Sequence, residues 1–343
     1  MKKILFIFSQ YRVGERIFPV VEKLDGYELH CLLVYEMNSR HKWPGDFDLR
    51  KVFFEKYKKF FTKISESIND LNYQEYHLIV ADDNRHTTKT NLKTIYDRKK
   101  CNMLACYHGP VEKYNNLDFF KIGYKTIYDT TLVLGKKDCL TDYCKPIGIP
   151  SNDILENKKV RPNHILVIVN FLGNIKSVIG HKPFSVTFDE DLVKKIDFER
   201  IQRELKVPIV IKLKSRAGEG DNQVERNTNY IKSIMPNVDF SVLTDADNDF
   251  LIENSKFVIS SPGTFAFKSI QMGIPTILIE GSNESGHFGL YKGFVKSDKD
   301  LIKKKIDEMM SFGKDVKFIR EVIEGGEDFT STDKMIEIME NNL

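Results

Sequence analysis

This 343-residue chain is poor in three things, and each scarcity removes a class of protein. Its apolar runs are short, and none approaches the ~20 residues that a membrane-spanning helix needs. Met1-Lys2-Lys3 followed by ILFIF has the outline of a signal peptide. The apolar run stops at Phe8, however, and Gln10, Arg12, Glu15 and Arg16 follow at once, so the stretch reads as a first strand. Cysteine is scarce and unpaired in pattern. Cys31, Cys101, Cys106, Cys139 and Cys144 are odd in number and show no CxxC spacing. A zinc site is not expected, and the thiols read as reduced ones in a cytoplasmic protein. Charge of one sign is lacking too: 52 basic residues stand against 49 acidic ones, a net +3. That balance argues against a nucleic-acid coat or an acidic partner and leaves room only for a local basic groove.

What is present is an ordinary globular composition, 41% hydrophobic and 29% charged, in a chain long enough for two domains with separate cores. One stretch organises the rest, Phe257 to Glu280, FVISSPGTFAFKSIQMGIPTILIE. Phe257-Val258-Ile259 is strand-like, and Ser260-Ser261-Pro262-Gly263-Thr264 is turn chemistry. Phe265 to Met272 reads as a helix closed by Gly273 with Pro275 beyond it, and Thr276 to Ile279 as the next buried strand. The first-turn amides of such a helix lack intrahelical acceptors, and the macrodipole adds roughly half a positive charge there. The loop is thus either a phosphate site, with Gly263 allowing close approach, or an ordinary βαβ turn.

Strands are expected at Lys3 to Phe8, Tyr27 to Tyr35, His77 to Ala81, Asn102 to Tyr107 and Thr131 to Leu134, with a short extended piece at 145–150. The helices between them are expected at Glu15 to Leu24, after a loop over 9–14, and at Thr90 to Arg98. A long amphipathic helix is expected from Leu49 to Leu71, its aromatics Phe53, Phe54, Tyr57, Phe60 and Phe61 read as core. Pro146, Gly148, Pro150 and the polar 151–161 mark a linker. A second series follows, with strands at His164 to Asn170, Pro208 to Leu213 and Val238 to Leu243. Its helices are expected at Asp189 to Leu205, Asn227 to Met235, Asp247 to Asn254, Asp298 to Ser311 and Thr332 to Glu340. Strands alternating with helices predict α/β architecture with parallel sheets. The expected division is 1–150, 160–325 and a returning C-terminal helix at 326–343. Two Rossmann-like domains would face each other across a cleft, ligand lying outside the carboxyl ends of the strands.

Candidate chemistry collects at those strand ends. Lys212, Lys214 and Arg216 form either a phosphate clamp or a solvated basic turn. Asp82 and Asp83 end the third strand, as a base, as a group orienting one, or as plain helix caps. His108 ends the fourth and precedes Gly109-Pro110. It is either a general base or a histidine bonded to a neighbouring carbonyl. Nothing resembles paired metal carboxylates, so metal independence is expected.

Several motifs, taken in order, resemble the GT-B glycosyltransferases, above all the CDP-glycerol glycerophosphotransferase and capsular-polysaccharide transferase group. His108-Gly109-Pro110-Val111-Glu112-Lys113 stands where that group has an HGTPLK-like turn, and Gly148 to Asp153 where it has a GYPRND-like linker. Lys212-Leu213-Lys214-Ser215-Arg216 is similar to its KLHPR-like strand end, and Val258 to Thr264 to its donor loop. The departures are Lys214 for the family histidine, Ser260 for an acid of the donor loop, and Lys268 where a carboxylate holds the donor ribose. An ammonium accepts no hydroxyl protons, which leaves Glu280 as the carboxylate for that role.

The resemblance implies a metal-independent, cofactor-free enzyme of polysaccharide biosynthesis. It would transfer a sugar or polyol phosphate from a nucleotide-diphosphate sugar or CDP-polyol donor to a hydroxyl acceptor, and it admits a homodimer. The implied donor side comprises Lys212, Arg216, Ser260, Ser261, Gly263, Thr264 and Glu280. The implied catalytic set is His108, Asp82 and Asp83, with Arg12, Glu15, Glu112 and Lys113 toward the acceptor. Arg12-x-x-Glu15-x-x-x-Pro19 also resembles the opening of UDP-N-acetylglucosamine 2-epimerases, which share the fold. Their paired-glutamate motif has no counterpart in Asn115 to Tyr128. A non-catalytic nucleotide-sugar-binding protein is the third expectation.

Overall fold

The computed structural model describes residues 1–8, 11–33, 56–82, 89–106, 128–136, 139, 141–169, 171–172, 187–188, 190–213, 223–243, 247–260, 264–280, 295–296, 299–312 and 328–343. The chain divides into two compact units, one of Met1–Glu156 with Ile323–Leu343 and one of Asn157–Val322. Among the described residues no helix is long and apolar enough to cross a membrane.

The first unit is built on β1 (Lys3–Phe8), β2 (Glu28–Leu33), β3 (Lys63–Ser65), β4 (Leu78–Asp82), β5 (Asn102–Cys106), β6 (Thr130–Val133) and β7 (Cys144–Pro146). They pair in parallel in the order β3-β2-β1-β4-β5-β6-β7. β1 is an interior strand, apolar and buried from Ile4 to Phe8, as a strand covered on both faces must be. One face carries Ile4, Phe6 and Phe8 against α1 (Tyr11–Lys23), and the other carries Leu5 and Ile7 against Leu92 and Ile95 of α2 (Lys89–Arg98). The chain winds outward from β1 in one direction and then in the other. The order therefore reverses between β1 and β4, whose carboxyl ends lie level, Ile7 opposite Ala81.

Two expectations fail in this unit. α1 begins at Tyr11, so part of the expected loop over 9–14 is helical; Gly14 and Pro19 are both accommodated within it. The long helix expected over 49–71 is helical only at Lys56 and Tyr57 in its described part. After Tyr57 the chain makes a 3₁₀ turn at Lys58–Phe60 and then pairs with β2 as the edge strand β3, His30 opposite Lys63. The Thr62 amide donates to the Leu29 carbonyl at 2.8 Å, so pairing to the open edge of β2 outweighs the local helical period. The aromatics still enter the core. Tyr57 stacks on Phe18 with centroids 3.5 Å apart, Phe61 meets Phe6 and Phe8 edge-on, and Phe60 packs partly buried beside them. Phe53 and Phe54 lie outside the described residues.

The second unit holds β8 (His164–Val169), β11 (Ile209–Leu213), β12 (Phe240–Leu243), β13 (Ser255–Ser260), β14 (Thr276–Glu280) and β15 (Val295–Lys296). They are parallel in the order β12-β11-β8-β13-β14-β15, with a separate small ladder of β9 (Phe171–Leu172) and β10 (Thr187–Phe188). Here the order reverses between β8 and β13.

Alternation divides the side chains between two cores. Ile165, Val167, Ile211, Ile259 and Ile279 face helices α4 (Phe198–Leu205), α5 (Gln223–Ile234) and α8 (Lys299–Phe312). Leu166, Ile168, Val210 and Val258 face the side of Leu251 and Ile252 on α6 (Asn248–Glu253) and of Met272 and Ile274 just beyond α7 (Thr264–Gln271). Gly273, at φ +73°, ends α7 in the left-handed conformation that glycine tolerates.

The single helix expected over 189–205 is two, α3 (Glu190–Lys195) and α4. Asp197 breaks it, its carboxylate accepting the Arg200 amide at 2.9 Å as the cap of a new helix. The expected linker is also partly structured: Pro150–Leu155 is a 3₁₀ turn with Asn152 and Leu155 buried. Its Asp153 accepts the amides of Ser331 (3.1 Å) and Thr332 (2.6 Å), capping α9 (Ser331–Glu340) from a distant part of the chain.

Candidate functional site

In doubly wound sheets ligands bind outside the carboxyl ends of the strands, where the strand order reverses. In the second unit that point lies between β8 and β13, and the register places Lys212, Ile168 and Ser260 side by side on β11, β8 and β13. Parallel neighbours at one register level show the same face, so all three share the face of Val210, Leu166 and Val258. Two strand spacings separate Lys212 from Ser260, about 10 Å between backbones. Both side chains are buried, Lys212 to 9% and Ser260 to 2% exposure. The Lys212 ammonium donates one proton to its neighbour's carbonyl, Leu213 O, at 2.9 Å.

The chain leaves β13 at Ser260 and enters α7 at Thr264, so the start of this helix stands beside the same level of the sheet. Glu280 ends the adjacent β14, opposite Lys296. The sequence-predicted donor residues Lys212, Ser260, Thr264 and Glu280 thus belong to one edge of one sheet. Ser261, Gly263, Lys214 and Arg216 lie outside the described residues.

In the first unit the reversal falls between β1 and β4, and Asp82 is the last residue of β4, opposite Cys106 of β5. The backbones of Arg12 and Glu15 lie in the first turns of α1, which follows β1 at this same edge. Asp83, His108, Glu112 and Lys113 lie outside the described residues.

Sequence reasoning missed the partner of Lys268. Its ammonium donates to Asp249 Oδ1 at 2.6 Å, joining α7 to α6. Asp247 in turn caps α6, accepting the amides of Asp249 and Phe250. The Asp-Asn-Asp run at 247–249 carried a helix-start signal, but nothing local pointed to a lysine nineteen residues away.

Two other titratable clusters lie at the opposite, amino ends of the strands. The Ser255 hydroxyl donates to the Leu251 carbonyl at 2.7 Å and lies 3.2 Å from His164 Nε2, while His164 Nδ1 lies 2.6 Å from Asn163 Oδ1. The order serine, histidine, amide is that of a nucleophilic triad, but Ser255 is fully buried with no path to a substrate. Burial holds the His164 pKa below the usual imidazole value, and the ring is a structural tie between β8 and β13. In the first unit His30 is buried between Tyr76 Oη (2.8 Å) and Glu28 Oε1 (2.8 Å). The hydrogen bond from His30, aided by Lys3, holds the Glu28 carboxyl below its usual range. Burial pushes the Tyr76 phenol up.

No protein-family model and no curated protein matches this sequence. Solved structures do match over its whole length. A UDP-GlcNAc 2-epimerase from Neisseria meningitidis bound to UDP-GlcNAc superposes with a TM-score of 0.64 at 10% identity, covering 99% of this chain and 100% of its own. Anabaena Alr3699/HepE in complex with UDP and glucose gives 0.55 at 12%, covering all of both chains. A UDP-forming α,α-trehalose-phosphate synthase from Burkholderia xenovorans gives 0.53 at 11%, covering 100% and 99%. At such identities the likeness is one of fold. The fold is α/β with two parallel sheets, of the GT-B type shared by glycosyltransferases and UDP-GlcNAc 2-epimerases.

Proposed function

We propose that this chain is a nucleotide-sugar enzyme of the glycosyltransferase kind, moving a sugar or polyol phosphate from a nucleotide diphosphate to a hydroxyl acceptor. The observation that carries this reading is the level of Lys212 and Ser260 across the reversal of the second sheet, beside the start of α7. A diphosphate there meets a buried cation and a helix start, the two features that stabilise negative charge. Support also comes from the similar structures whose ligands are UDP or a UDP-sugar.

In this reading Lys212 and Arg216 hold the departing nucleotide, a diphosphate when a sugar is moved and a monophosphate when a polyol phosphate is, so neither metal nor organic cofactor is required. His108 removes the acceptor proton, and Asp82 or Asp83 orients it. A histidine of ordinary pKa near 6.5 takes a proton at neutral pH more readily than an unshifted aspartate. Arg12, Glu15, Glu112 and Lys113 serve the acceptor, and the motif order around His108 and Lys212 favours a CDP-polyol or capsular-polysaccharide chemistry.

The test is calorimetric binding of UDP, CDP and GDP, followed by mass spectrometry of turnover with the donor that binds. Removing one charged hydrogen-bond partner costs about 1.5–3 kcal/mol, so Lys212→Ala weakens the bound nucleotide by roughly ten- to a hundredfold. Unchanged affinity in both Lys212→Ala and Arg216→Ala removes the clamp. His108→Ala lowers turnover by about 10²–10⁴ while leaving donor affinity intact.

The superposition on the Neisseria epimerase favours a second reading, epimerisation of a UDP-sugar. A donor that isomerises without an acceptor establishes it, whereas nucleotide release only with acceptor supports transfer. Binding with no turnover under either condition leaves a nucleotide-sugar-binding protein.

A further inference from the structure

In the second unit α6 follows β12 and α7 follows β13, so both helices start on the carboxyl side of the sheet. α6 packs Leu251 and Ile252 on the face of Leu166 and Val258, which is also the face of Lys212 and Ser260. Asp249 is the second residue of α6 and Lys268 the fifth of α7. Side chains on a helix tilt toward its N-terminus, so both lean back toward the edge where the nucleotide phosphates are proposed to lie.

The Lys268 ammonium meets Asp249 Oδ1 at 2.6 Å, and the two side chains are 20% and 37% exposed, so a ligand can reach the pair. Among the described residues each of these two charged groups has only the other as its side-chain partner. An ammonium has three donors and a carboxylate about four acceptor sites, so both keep capacity to spare. The neighbouring charges are engaged elsewhere. Asp247 caps α6 through Oδ1, and Lys158 pairs with Glu253 at 2.8 Å.

A part-exposed ion pair of this kind suits a neutral group with a donor and an acceptor on adjacent atoms. An anion is repelled by Asp249, a cation by Lys268, and an apolar group leaves both unsatisfied. A vicinal diol has the required pattern: one hydroxyl donates to the carboxylate while its neighbour's oxygen accepts from the ammonium. The ribose of a nucleotide begins one ester oxygen beyond its phosphates, and Lys268 stands about one helical turn, roughly 6 Å, beyond Thr264 at the start of α7. We propose, resting on the nucleotide reading above, that the Lys268–Asp249 pair holds the ribose diol and selects ribonucleotides over nucleotides that lack it. Asp249 thereby takes the part that the sequence alone leaves to Glu280. Lys268, which accepts no hydroxyl proton itself, fixes the carboxylate that does.

Calorimetric titration of the full chain with UDP, CDP and GDP, and with the 2′,3′-dideoxy form of each, tests this. The ribonucleotide of the preferred base binds about tenfold or more tightly than its dideoxy form, as expected for hydrogen bonds to charged groups. Asp249→Ala and Lys268→Met each bring the ribonucleotide down toward the dideoxy affinity and leave the dideoxy form little changed. Lys212→Ala weakens both forms alike, because it acts on the phosphates. The readout is a ratio of two affinities, so a variant that merely loosens the site lowers both and does not imitate the result. A wild type that binds none of these nucleotides overturns the proposed function and the ribose site together. Equal binding of ribo and dideoxy forms overturns the ribose site alone, as does a preference that survives Asp249→Ala, or one that is abolished by Glu280→Gln instead.

Discussion

Lys212 carries an ammonium at 9% exposure, one strand from the centre of a sheet. Burying a charge is costly without compensation, and Leu213 O is one of the groups that supply it. Lys212→Met keeps the bulk and removes the charge. Its nucleotide affinity is expected to fall by roughly ten- to a hundredfold while the fold persists; a large loss of stability would instead make Lys212 a structural residue. Alternation in the sequence was enough to put Lys212 on the Val210 face. Its level with Ser260 was not legible, because that depends on how β11 and β13 each register with β8.

His164 was read only as the start of a strand, since nothing local marks the Ser255 and Leu251 groups that enclose it. Its lowered pKa has a definite sign in stability. The unfolded ring, near pKa 6.5, takes a proton that the folded ring resists. The contribution is therefore intact above about pH 6.5 and is lost as pH falls below it. His164→Gln should show a shallower decline of urea midpoint between pH 7 and pH 5 than the wild type. Identical declines would show that His164 is not a source of acid sensitivity.

At the scale of elements, the readings that failed share a cause. The aromatics Tyr57, Phe60 and Phe61 have helical spacing, and that spacing fixed their burial correctly; beyond Tyr57 the backbone leaves the helix and the edge of β2 pairs with Lys63–Ser65 instead. The break at Asp197 was written in the sequence as a cap residue, but the apolar period continued across it and masked the signal. Asp153 was hidden more deeply, because it caps a helix 178 residues away in sequence. A lost cap costs about 0.5–2 kcal/mol, so Asp153→Ala should lower stability by that amount, with Asp153→Asn retaining part of it. Equal urea midpoints for wild type and Asp153→Ala would show that the two amides find other acceptors. The short, strongly bounded elements, β1, β8, β13 and α7, were legible because apolar content and the polar or turn residues that follow it agree there, with Pro262 and Gly263 after β13 and Gly273 and Pro275 after α7.

For the whole molecule, alternation of strands and helices was enough to predict parallel α/β units, but not which strand is central. The direction of each crossover is set by packing against both faces of the sheet. The sequence pattern therefore leaves open that β1 and β8 sit beside the reversals where the candidate residues gather. The first unit is also assembled from both ends of the chain: α9 buries Met335 and Met339 completely in the core of β1 and α1. Fully burying such a side chain is worth about 1.5–3 kcal/mol, so truncation at residue 322 should destabilise the first unit by several kcal/mol. A calorimetric trace unaltered by the truncation would contradict this. During synthesis, residues 157–322 are complete and free to fold while the first 156 still wait for their last helix. The chain ends themselves meet, Lys2 Nζ donating to the Leu343 carbonyl at 3.5 Å and Asn102 Nδ2 to that of Asn342 at 3.2 Å. A circular permutant that joins 343 to 1 and opens within the exposed 157–163 would make each unit one uninterrupted stretch, and the ribosome would deliver them in turn.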